Sequence, residues 1–92
     1  VLSGSSPALF ALFIEALLDA GVAMGLPTSE ALPLLLQSVR GSAALLDREA
    51  LMPSELRRRV AAPGGTTIAG VCAFEHCGGR GALIEAALAI YD

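Results

Sequence analysis

Apolar residues recur every three or four positions along most of this chain, which is the spacing of one face of an α-helix. Segments rich in glycine, proline and serine interrupt the pattern and divide it into five parts. The predicted helices span residues 6–24, 28–48, 53–60, 66–76 and 80–91. No stretch alternates apolar and polar residues for long enough to indicate a strand. The sequence therefore predicts an all-α domain.

The first predicted helix has recognisable signals at both ends. Ser5 or Ser6 is expected to cap its N-terminus, and Pro7 suits its first turn. Gly25 is expected to end it in a left-handed conformation, with Pro27 just beyond. The helix is apolar on nearly every side, so we expect it to lie in the middle of a protein assembly.

The second predicted helix contains two irregular features. Thr28 or Ser29 is expected to cap its start. Pro33 lies one turn further on and cannot donate a backbone hydrogen bond, so a kink or a frayed first turn is expected there. The Gly41-Ser42 pair in its middle lowers helix propensity, which favours the close approach of another helix at this point.

A membrane-spanning first helix is an alternative that two acidic residues argue against. The segment over residues 7–26 is almost wholly apolar, yet it contains Glu15 and Asp19 near its middle. Each would cost about 2.5–3.5 kcal/mol at a bilayer centre. We expect both carboxylates to cap a helix or pair with arginine, and the protein to be cytoplasmic and not membrane-bound.

The composition indicates an oligomer. Of the 92 residues 54% are hydrophobic and only 16% are charged. A monomer of this length buries only about 60% of its unfolded surface, so part of the apolar surface must form an exposed patch, which is typical of an interface. The net charge of −3 and the absence of Trp argue against a nucleic-acid partner, because a phosphate backbone repels an acidic chain. The basic cluster Arg57-Arg58-Arg59 is interpreted as a solvated or salt-bridged face.

The chain offers few residues for metal or redox chemistry. Cys72 and Cys77 have no second pair of ligands and only one histidine beside them, so no metal site is predicted. We interpret both as free, buried thiols in a reducing cytoplasm. His76 lies near a predicted helix end, where it favours the negative end of the helix dipole.

The strongest chemical signal is the segment Pro63-Gly64-Gly65-Thr66-Thr67. A helix start leaves backbone N–H groups without partners, and these groups attract an anion. The glycines allow a ligand to approach the backbone closely, and the threonine hydroxyls offer polar contacts. This arrangement suits one carboxylate and a neighbouring polar atom. From spacing alone, a tight interhelical turn capped by Thr66 or Thr67 remains the alternative.

The order of several short motifs resembles a known family. These motifs are Ser3-Gly4-Ser5-Ser6-Pro7-Ala8, Glu15-Ala16, Asp19-Ala20-Gly21-Val22, Gly25-Leu26-Pro27, Pro53-x-x-Leu56, Arg59-Val60, Pro63-Gly64-Gly65-Thr66-Thr67-Ile68-Ala69-Gly70, Glu75 and Gly78-Gly79. Together they resemble the C-terminal dimerisation domain of pyrroline-5-carboxylate reductase, over essentially all 92 residues.

The resemblance implies a fold, an activity and a site. The family reduces 1-pyrroline-5-carboxylate to L-proline with NAD(P)H in proline biosynthesis, and its nucleotide lies mainly on an N-terminal Rossmann domain that this chain lacks. Its C-terminal domain is a five-helix bundle of the 6-phosphogluconate dehydrogenase C-terminal type, interlocked in a homodimer, and some members form decamers. By analogy Gly65, Thr66 and Thr67 bind the substrate carboxylate, and the Thr67 hydroxyl takes the catalytic place facing the ring nitrogen.

Three residues depart from the family pattern. Ala62 stands where a Ser or Thr hydroxyl is usual, Ser6 replaces a common Gly, and Pro33 is unusual within the second helix. These departures leave open a divergent paralogue without reductase activity. A second alternative is a freestanding helical oligomerisation module, in which the Gly-Gly-Thr-Thr segment is only a turn. We expect the 92 residues alone to be inactive, since they are predicted to bind no cofactor themselves.

Overall fold

The computed structural model describes residues 2–61 and 65–91, which form five helices. They are α1 (Leu2–Ala23), α2 (Thr28–Arg48), α3 (Pro53–Val60), α4 (Thr66–His76) and α5 (Gly79–Tyr91). The prediction of an all-α fold with five helices is confirmed, and this part of the chain contains no strand. The main helix contacts join α1 to α2, α4 to α5 and α1 to α5.

The start of the first helix was predicted wrongly. It begins at Leu2, so neither Ser5 nor Ser6 is its cap, and Pro7 lies inside the helix rather than in its first turn. The fixed φ of proline is itself helical, so the chain continues through it and loses only one backbone hydrogen bond. Pro33 occupies the same sixth position in α2, which is likewise helical from its first turn onwards.

The start of α2 also differs from the prediction. Its N-cap is Pro27, in an extended conformation, and neither Thr28 nor Ser29 has that place. The Pro27 carbonyl accepts hydrogen bonds from the amides of Glu30 and Ala31 at 3.0 and 2.9 Å. Proline has no N–H but keeps its carbonyl, so it can start a helix without a side-chain cap.

Backbone capping closes the corner between α1 and α2, which spans residues 21–31. Gly25 has the predicted left-handed conformation, with φ 98°. The Leu26 amide donates to the Gly21 carbonyl at 2.9 Å, and the Gly25 amide donates to Val22 at 3.0 Å. This pair of bonds is a Schellman motif. It turns the chain so that Gly21 packs against Ala31, and both are buried.

A second left-handed glycine forms the corner between α4 and α5, which spans residues 74–80. Gly78 has φ 77°, and α5 begins at Gly79, one residue earlier than predicted. The ring of Phe74 lies over Gly79, where a Cβ atom would overlap it. Phe74 also meets Phe13 of α1 edge to face, with ring centroids 6.3 Å apart. The aromatic pair thereby ties this corner to α1.

Most large apolar side chains of the chain are exposed. Ala31, at 3% exposure, is the one buried hydrophobic residue of the described part. The accessible surface is 6994 Å², whereas a folded monomer of this mass exposes about 5,000 Å². The Gly41-Ser42 pair is exposed too, with no atom within 4 Å of a Cβ built on Gly41. The helix expected to approach it is therefore not one of this chain's described helices.

The exposed surface includes α1 over nearly its whole length. By length and composition α1 could cross a membrane, with a mean hydropathy of 1.6 over its most apolar window. Only 6% of that window is buried in this chain. The described part of this chain therefore leaves α1 largely uncovered. The large exposed apolar residues of α1 include Phe10, Leu12, Phe13 and Leu17.

Candidate functional site

The N-terminus of α4 provides the first element of the candidate site. Gly65 is the N-cap in an extended conformation, and Thr66 and Thr67 are the first two helical residues. All three are exposed, and the first turn of α4 contains no acidic side chain. Neither threonine side chain hydrogen-bonds within residues 2–61 and 65–91, so the alternative of a threonine-capped turn gains no support there. The first amides of α4 have no partner within the helix, and they and the two hydroxyls can bind an anionic ligand.

Three residues next to this turn lie outside the described residues. They are Pro63 and Gly64, which belong to the predicted ligand segment, and Ala62, which departs from the family pattern. The described part of the predicted ligand segment therefore begins at Gly65, the N-cap of α4.

An open cleft lies beside the α4 N-terminus and is bounded by α1, α3, α4 and α5. Its volume is about 1,100 Å³. The wall is mainly apolar, with a smaller set of polar side chains. The apolar residues include Phe13, Leu17, Val71, Phe74, Leu83 and Ile84, and the polar side chains are Ser54, Arg57, Thr67, Glu75 and Arg80. We call this space the Thr67 cleft, because Thr67 is the predicted site residue that lines it.

A close ion pair between Glu75 and Arg80 spans the α4–α5 corner at the edge of the cleft. The Arg80 Nη2 donates to Glu75 Oε2 at 2.7 Å, and Nε lies 3.1 Å from both carboxylate oxygens. These hydrogen bonds lower the pKa of Glu75, against a smaller opposing effect of burial, and the charges of Arg80 and Arg57 lower it further. The same bonds raise the pKa of Arg80. The pair leaves the Arg80 charge neutralised by its neighbour.

The three consecutive arginines of α3 have three different surroundings. Arg59 forms an ion pair with Glu49 at 3.5 Å, and the Nε of Arg58 donates to the Ser54 carbonyl of its own helix at 3.3 Å. Arg57 lines the Thr67 cleft. The prediction of a salt-bridged or solvated face is therefore right for Arg59 and Arg58, but it missed the position of Arg57 in the cleft.

Other predicted residues lie away from the cleft. Glu15 and Asp19 are exposed and take part in neither ion pair of the described residues, so the arginine pairing predicted for them is not found. Cys72 and Cys77 are free, as predicted, but they are exposed rather than buried. His76 is the last residue of α4, at the helix end where it was expected.

No metal site is found in residues 2–61 and 65–91, because no three His, Cys, Asp or Glu side chains are grouped there. The same residues contain no strand and no Gly-rich strand-to-helix turn of the kind that binds a dinucleotide in a Rossmann fold. The polar groups at hand suit a small anion with an apolar body.

Sequence reasoning missed the Glu75–Arg80 pair as a unit. The signal that could have found it is a pair of opposite charges on either side of the Gly78-Gly79 turn. A left-handed turn between two helices brings residues five positions apart close enough to bond, which linear helix spacing does not suggest.

These features indicate a class of protein: a helical oligomerisation domain with a candidate small-molecule site beside the N-terminus of α4. The family described as pyrroline-5-carboxylate reductase dimerisation matches residues 1–92. The chain belongs to this family.

Individual relatives agree with this assignment. A pyrroline-5-carboxylate reductase of Synechocystis sp. is 51% identical over 89 residues, which is 97% of this chain and 33% of the relative. One of Pisum sativum is 50% identical over 88 residues, which is 96% of this chain and 32% of the relative. This chain thus spans about a third of the length of these relatives.

A solved structure supports the fold. The crystal structure of Plasmodium falciparum pyrroline carboxylate reductase with NADP bound has a TM-score of 0.87 and 32% sequence identity to this chain. The similarity covers 91% of this chain and 34% of the other. The predicted fold class and the resemblance to this reductase family are confirmed.

Proposed function

We propose that this chain is the dimerisation and substrate-binding part of an enzyme that reduces 1-pyrroline-5-carboxylate to L-proline with NAD(P)H. The observation that carries the proposal is the open N-terminus of α4, where Gly65, Thr66 and Thr67 adjoin a largely apolar cleft. The family assignment supplies the reaction, and the reductases named among the relatives support it.

The chemistry of the substrate fits these groups. Its carboxylate takes the place of an anion at the α4 N-terminus, where Gly65, Thr66 and Thr67 present unpaired amides and the positive end of the helix dipole. Its ring carbons match the apolar wall of the cleft. By family analogy we assign the Thr67 hydroxyl to the ring nitrogen, where it would form a hydrogen bond and act as the catalytic side chain of this chain.

The hydride comes from outside the described residues. Reduction of the C=N bond adds a hydride to carbon and a proton to nitrogen, and a reduced nicotinamide nucleotide supplies that hydride. Because this chain spans about a third of the length of the reductases it matches, we assign NAD(P)H mainly to a further domain of the full-length protein. The NADP of the Plasmodium falciparum structure supports a nucleotide of this type.

The excess of exposed apolar surface supports a homodimer. The chain exposes about 2,000 Å² more than a folded monomer of its mass should, and a typical stable interface buries about 800 Å² per partner. Gly41, Gly70 and Gly81 each cost a helix about 1 kcal/mol relative to Ala, yet among the described residues no atom lies within 4 Å of a Cβ built on any of them. A second copy packed against these glycines would explain their presence.

We assign α1 to this interface rather than to a lipid bilayer. Glu15 and Asp19 lie in the middle of α1 and would each cost about 2.5–3.5 kcal/mol in a bilayer centre. An apolar groove of about 360 Å³ between α1 and α5, which includes Leu9, Phe10 and Leu83, gives a second copy a place to pack. We further propose that the protein is cytoplasmic, with Cys72 and Cys77 kept reduced, and that it binds neither membrane nor nucleic acid. By family analogy we also propose that the dimers can assemble into a decamer.

The activity is tested in the full-length protein with 1-pyrroline-5-carboxylate and NAD(P)H. We expect substrate-dependent nucleotide oxidation, a fall in kcat/KM of about 10²-fold in Thr67→Ala, and partial recovery in Thr67→Ser. Thr28→Ala is the matched control, because Thr28 opens α2 away from the cleft and should have wild-type kinetics. The isolated 92 residues should oxidise no NAD(P)H.

The outcomes separate the alternatives. No turnover by a folded full-length protein would overturn the proposal and favour a divergent paralogue, or a helical oligomerisation module if no nucleotide domain accompanies the chain. Wild-type kinetics in Thr67→Ala would exclude the hydroxyl from the reaction.

The dimer is tested by sedimentation of the full-length protein. Leu88 of α5 is 58% exposed in the single chain, and Leu88→Asp would place a charge in the proposed interface. We expect the dissociation constant to rise by about 10²–10⁴-fold, because an unpaired buried charge costs about 3–5 kcal/mol. Arg58→Asp puts the same carboxylate on α3 and should leave the dimer intact. A wild-type protein that sediments as a monomer at micromolar concentration would refute the dimer.

A further inference from the structure

The polar wall of the Thr67 cleft has an uneven balance of charge. Its ionisable side chains are Arg57 from α3, Glu75 from α4 and Arg80 from α5. Glu75 and Arg80 are joined by the short hydrogen bonds that span the α4–α5 corner. The pair is neutral as a unit, so the cleft retains one net positive charge, which belongs to Arg57.

Arg57 differs from its two neighbours in having its guanidinium uncommitted. Arg58 donates to the carbonyl of its own helix and Arg59 pairs with Glu49. Within residues 2–61 and 65–91, Arg57 forms neither an ion pair nor a side-chain hydrogen bond. Its charge nevertheless reaches the cleft edge, since it helps to lower the pKa of Glu75.

We propose that Arg57 is a substrate-binding residue that attracts and holds the carboxylate of a small anionic ligand against the Thr67 side of the cleft. The inference rests on the proposed function, since it takes the ligand to be the substrate carboxylate. Arg57 lines the same cleft as Thr67 and supplies the positive charge that no other side chain of the cleft neutralises.

The physical need for Arg57 follows from what α4 alone can supply. A helix N-terminus provides roughly half a positive charge, which leaves a full carboxylate only partly compensated. A guanidinium adds a complete charge and a fork of N–H donors that match a carboxylate, and such charge-assisted bonds are about twice as strong as neutral ones. The neutral Glu75–Arg80 unit neither competes for the ligand nor repels it.

The test measures steady-state kinetics of the full-length protein with the substrate varied at saturating nucleotide. Arg57→Gln should raise KM about tenfold, which corresponds to about 1.4 kcal/mol of binding free energy, with kcat changed less than twofold because the reacting atoms are untouched. Arg57→Lys should recover part of the loss, since it keeps the charge without the fork. Arg58→Gln, one residue on, should leave both constants unchanged.

The dependence of KM on salt concentration distinguishes a binding role of Arg57 from a purely structural one. The wild-type KM should rise as salt is increased, because salt screens the attraction between Arg57 and the carboxylate. This dependence should flatten in Arg57→Gln and persist in Arg58→Gln. Titration of L-proline into the protein gives the same comparison without turnover, and thermal melts of each variant show that it is folded.

The failure of this inference differs from the failure of the proposed function. A folded wild-type protein without reductase activity contradicts the proposed function. An active wild type whose KM and proline affinity are the same in Arg57→Gln overturns the role of Arg57 and leaves the reductase proposal standing. A large fall in kcat with unchanged KM would also overturn it, since it would place Arg57 outside carboxylate binding.

Discussion

The α1–α2 and α4–α5 corners both turn at a left-handed glycine, but they differ in what holds them together. Gly25 and Gly78 both adopt the left-handed conformation, with φ 98° and 77°. At the α1–α2 corner the chain is held by backbone hydrogen bonds and by the packing of two small residues, Gly21 and Ala31. At the α4–α5 corner it is made by side chains: Phe74 over the backbone of Gly79, and the ion pair next to it.

The difference separates scaffold from site. The α1–α2 corner holds two long helices together without presenting polar side chains to the cleft. The α4–α5 corner lies at the Thr67 cleft. Its Glu75–Arg80 ion pair is neutral, so the net positive charge of the cleft is that of Arg57. A change at the first corner should therefore alter stability alone, whereas a change at the second should alter both stability and the site.

The largest expected effect comes from the same substitution made at both corners. In Gly79→Ala the new methyl group overlaps the Phe74 ring, and we expect a loss of about 1–3 kcal/mol in the free energy of unfolding. In Gly21→Ala the methyl group meets Ala31 at an ordinary 3.5 Å. Because alanine favours a helix, that variant should be as stable as the wild type or gain up to about 1 kcal/mol.

Both variants are measured by denaturant unfolding of the full-length protein at one protein concentration, since dimer stability depends on concentration. Glu85→Ala is a control within α5, because this exposed side chain takes part in no ion pair of the described residues. Equal losses at Gly79 and Gly21 would remove the proposed difference between the corners.

The next effect concerns the left-handed residue of the scaffold corner. In Gly25→Ala no atom of residues 2–61 and 65–91 lies within 4 Å of the new Cβ, so the change isolates backbone strain. The left-handed conformation costs a residue with a Cβ about 1–2 kcal/mol, and we expect that loss in thermal unfolding. Loss of reductase activity with unchanged stability would contradict the assignment of this corner to scaffolding.

A third helix end gives a smaller effect of the opposite sign. Ala50 has φ 51° and follows α2, and the Leu51 amide donates to the Leu46 carbonyl at 3.1 Å. This is the arrangement of the α1 end, with alanine where Gly25 stands. Ala50→Gly should relieve the strain and stabilise the protein by about 0.5–1 kcal/mol, as measured by the shift of the unfolding midpoint. A decrease in stability would show that the alanine methyl group is needed for packing.

The sequence was enough to predict what local chemistry decides. Gly25 ends α1 as its position before Pro27 suggested, and the bounds of α3 and α4 were predicted as observed. Ala50 could not be predicted, because alanine gives no signal for a left-handed turn. The start of α1 was missed because Pro7 is tolerated inside a helix when only one hydrogen bond is lost.

The site was predicted in part for a related reason. The Gly65-Thr66-Thr67 segment is contiguous, so its residue types alone suggested an anion at a helix start. The place of Arg57 in the cleft depends on how α3 lies near α4 and α5, which spacing along the chain does not specify. The arginine triplet looked uniform in sequence and is divided among three environments only by the fold.

The smallest expected effect is the pH dependence of the ion pair at the site corner. The pKa of Glu75 is below its ordinary value of 4.5, chiefly because Arg80 hydrogen-bonds the carboxylate. A lowered pKa in the folded state means that the pair stabilises the protein above pH 4.5, and that this contribution is lost as pH falls through the folded pKa. The midpoint temperature of unfolding should therefore fall between pH 7 and pH 3, and its slope against pH should be smaller in Glu75→Gln.

Two controls accompany this measurement. Glu85→Gln, on α5 but outside the pair, should keep the wild-type slope. In the wild type 1 M salt should reduce the slope, because both partners of the ion pair are exposed. If Glu75→Gln and Glu85→Gln changed the slope equally, the ion pair would contribute nothing specific to the α4–α5 corner, and the neutral unit beside Arg57 would lose its structural basis.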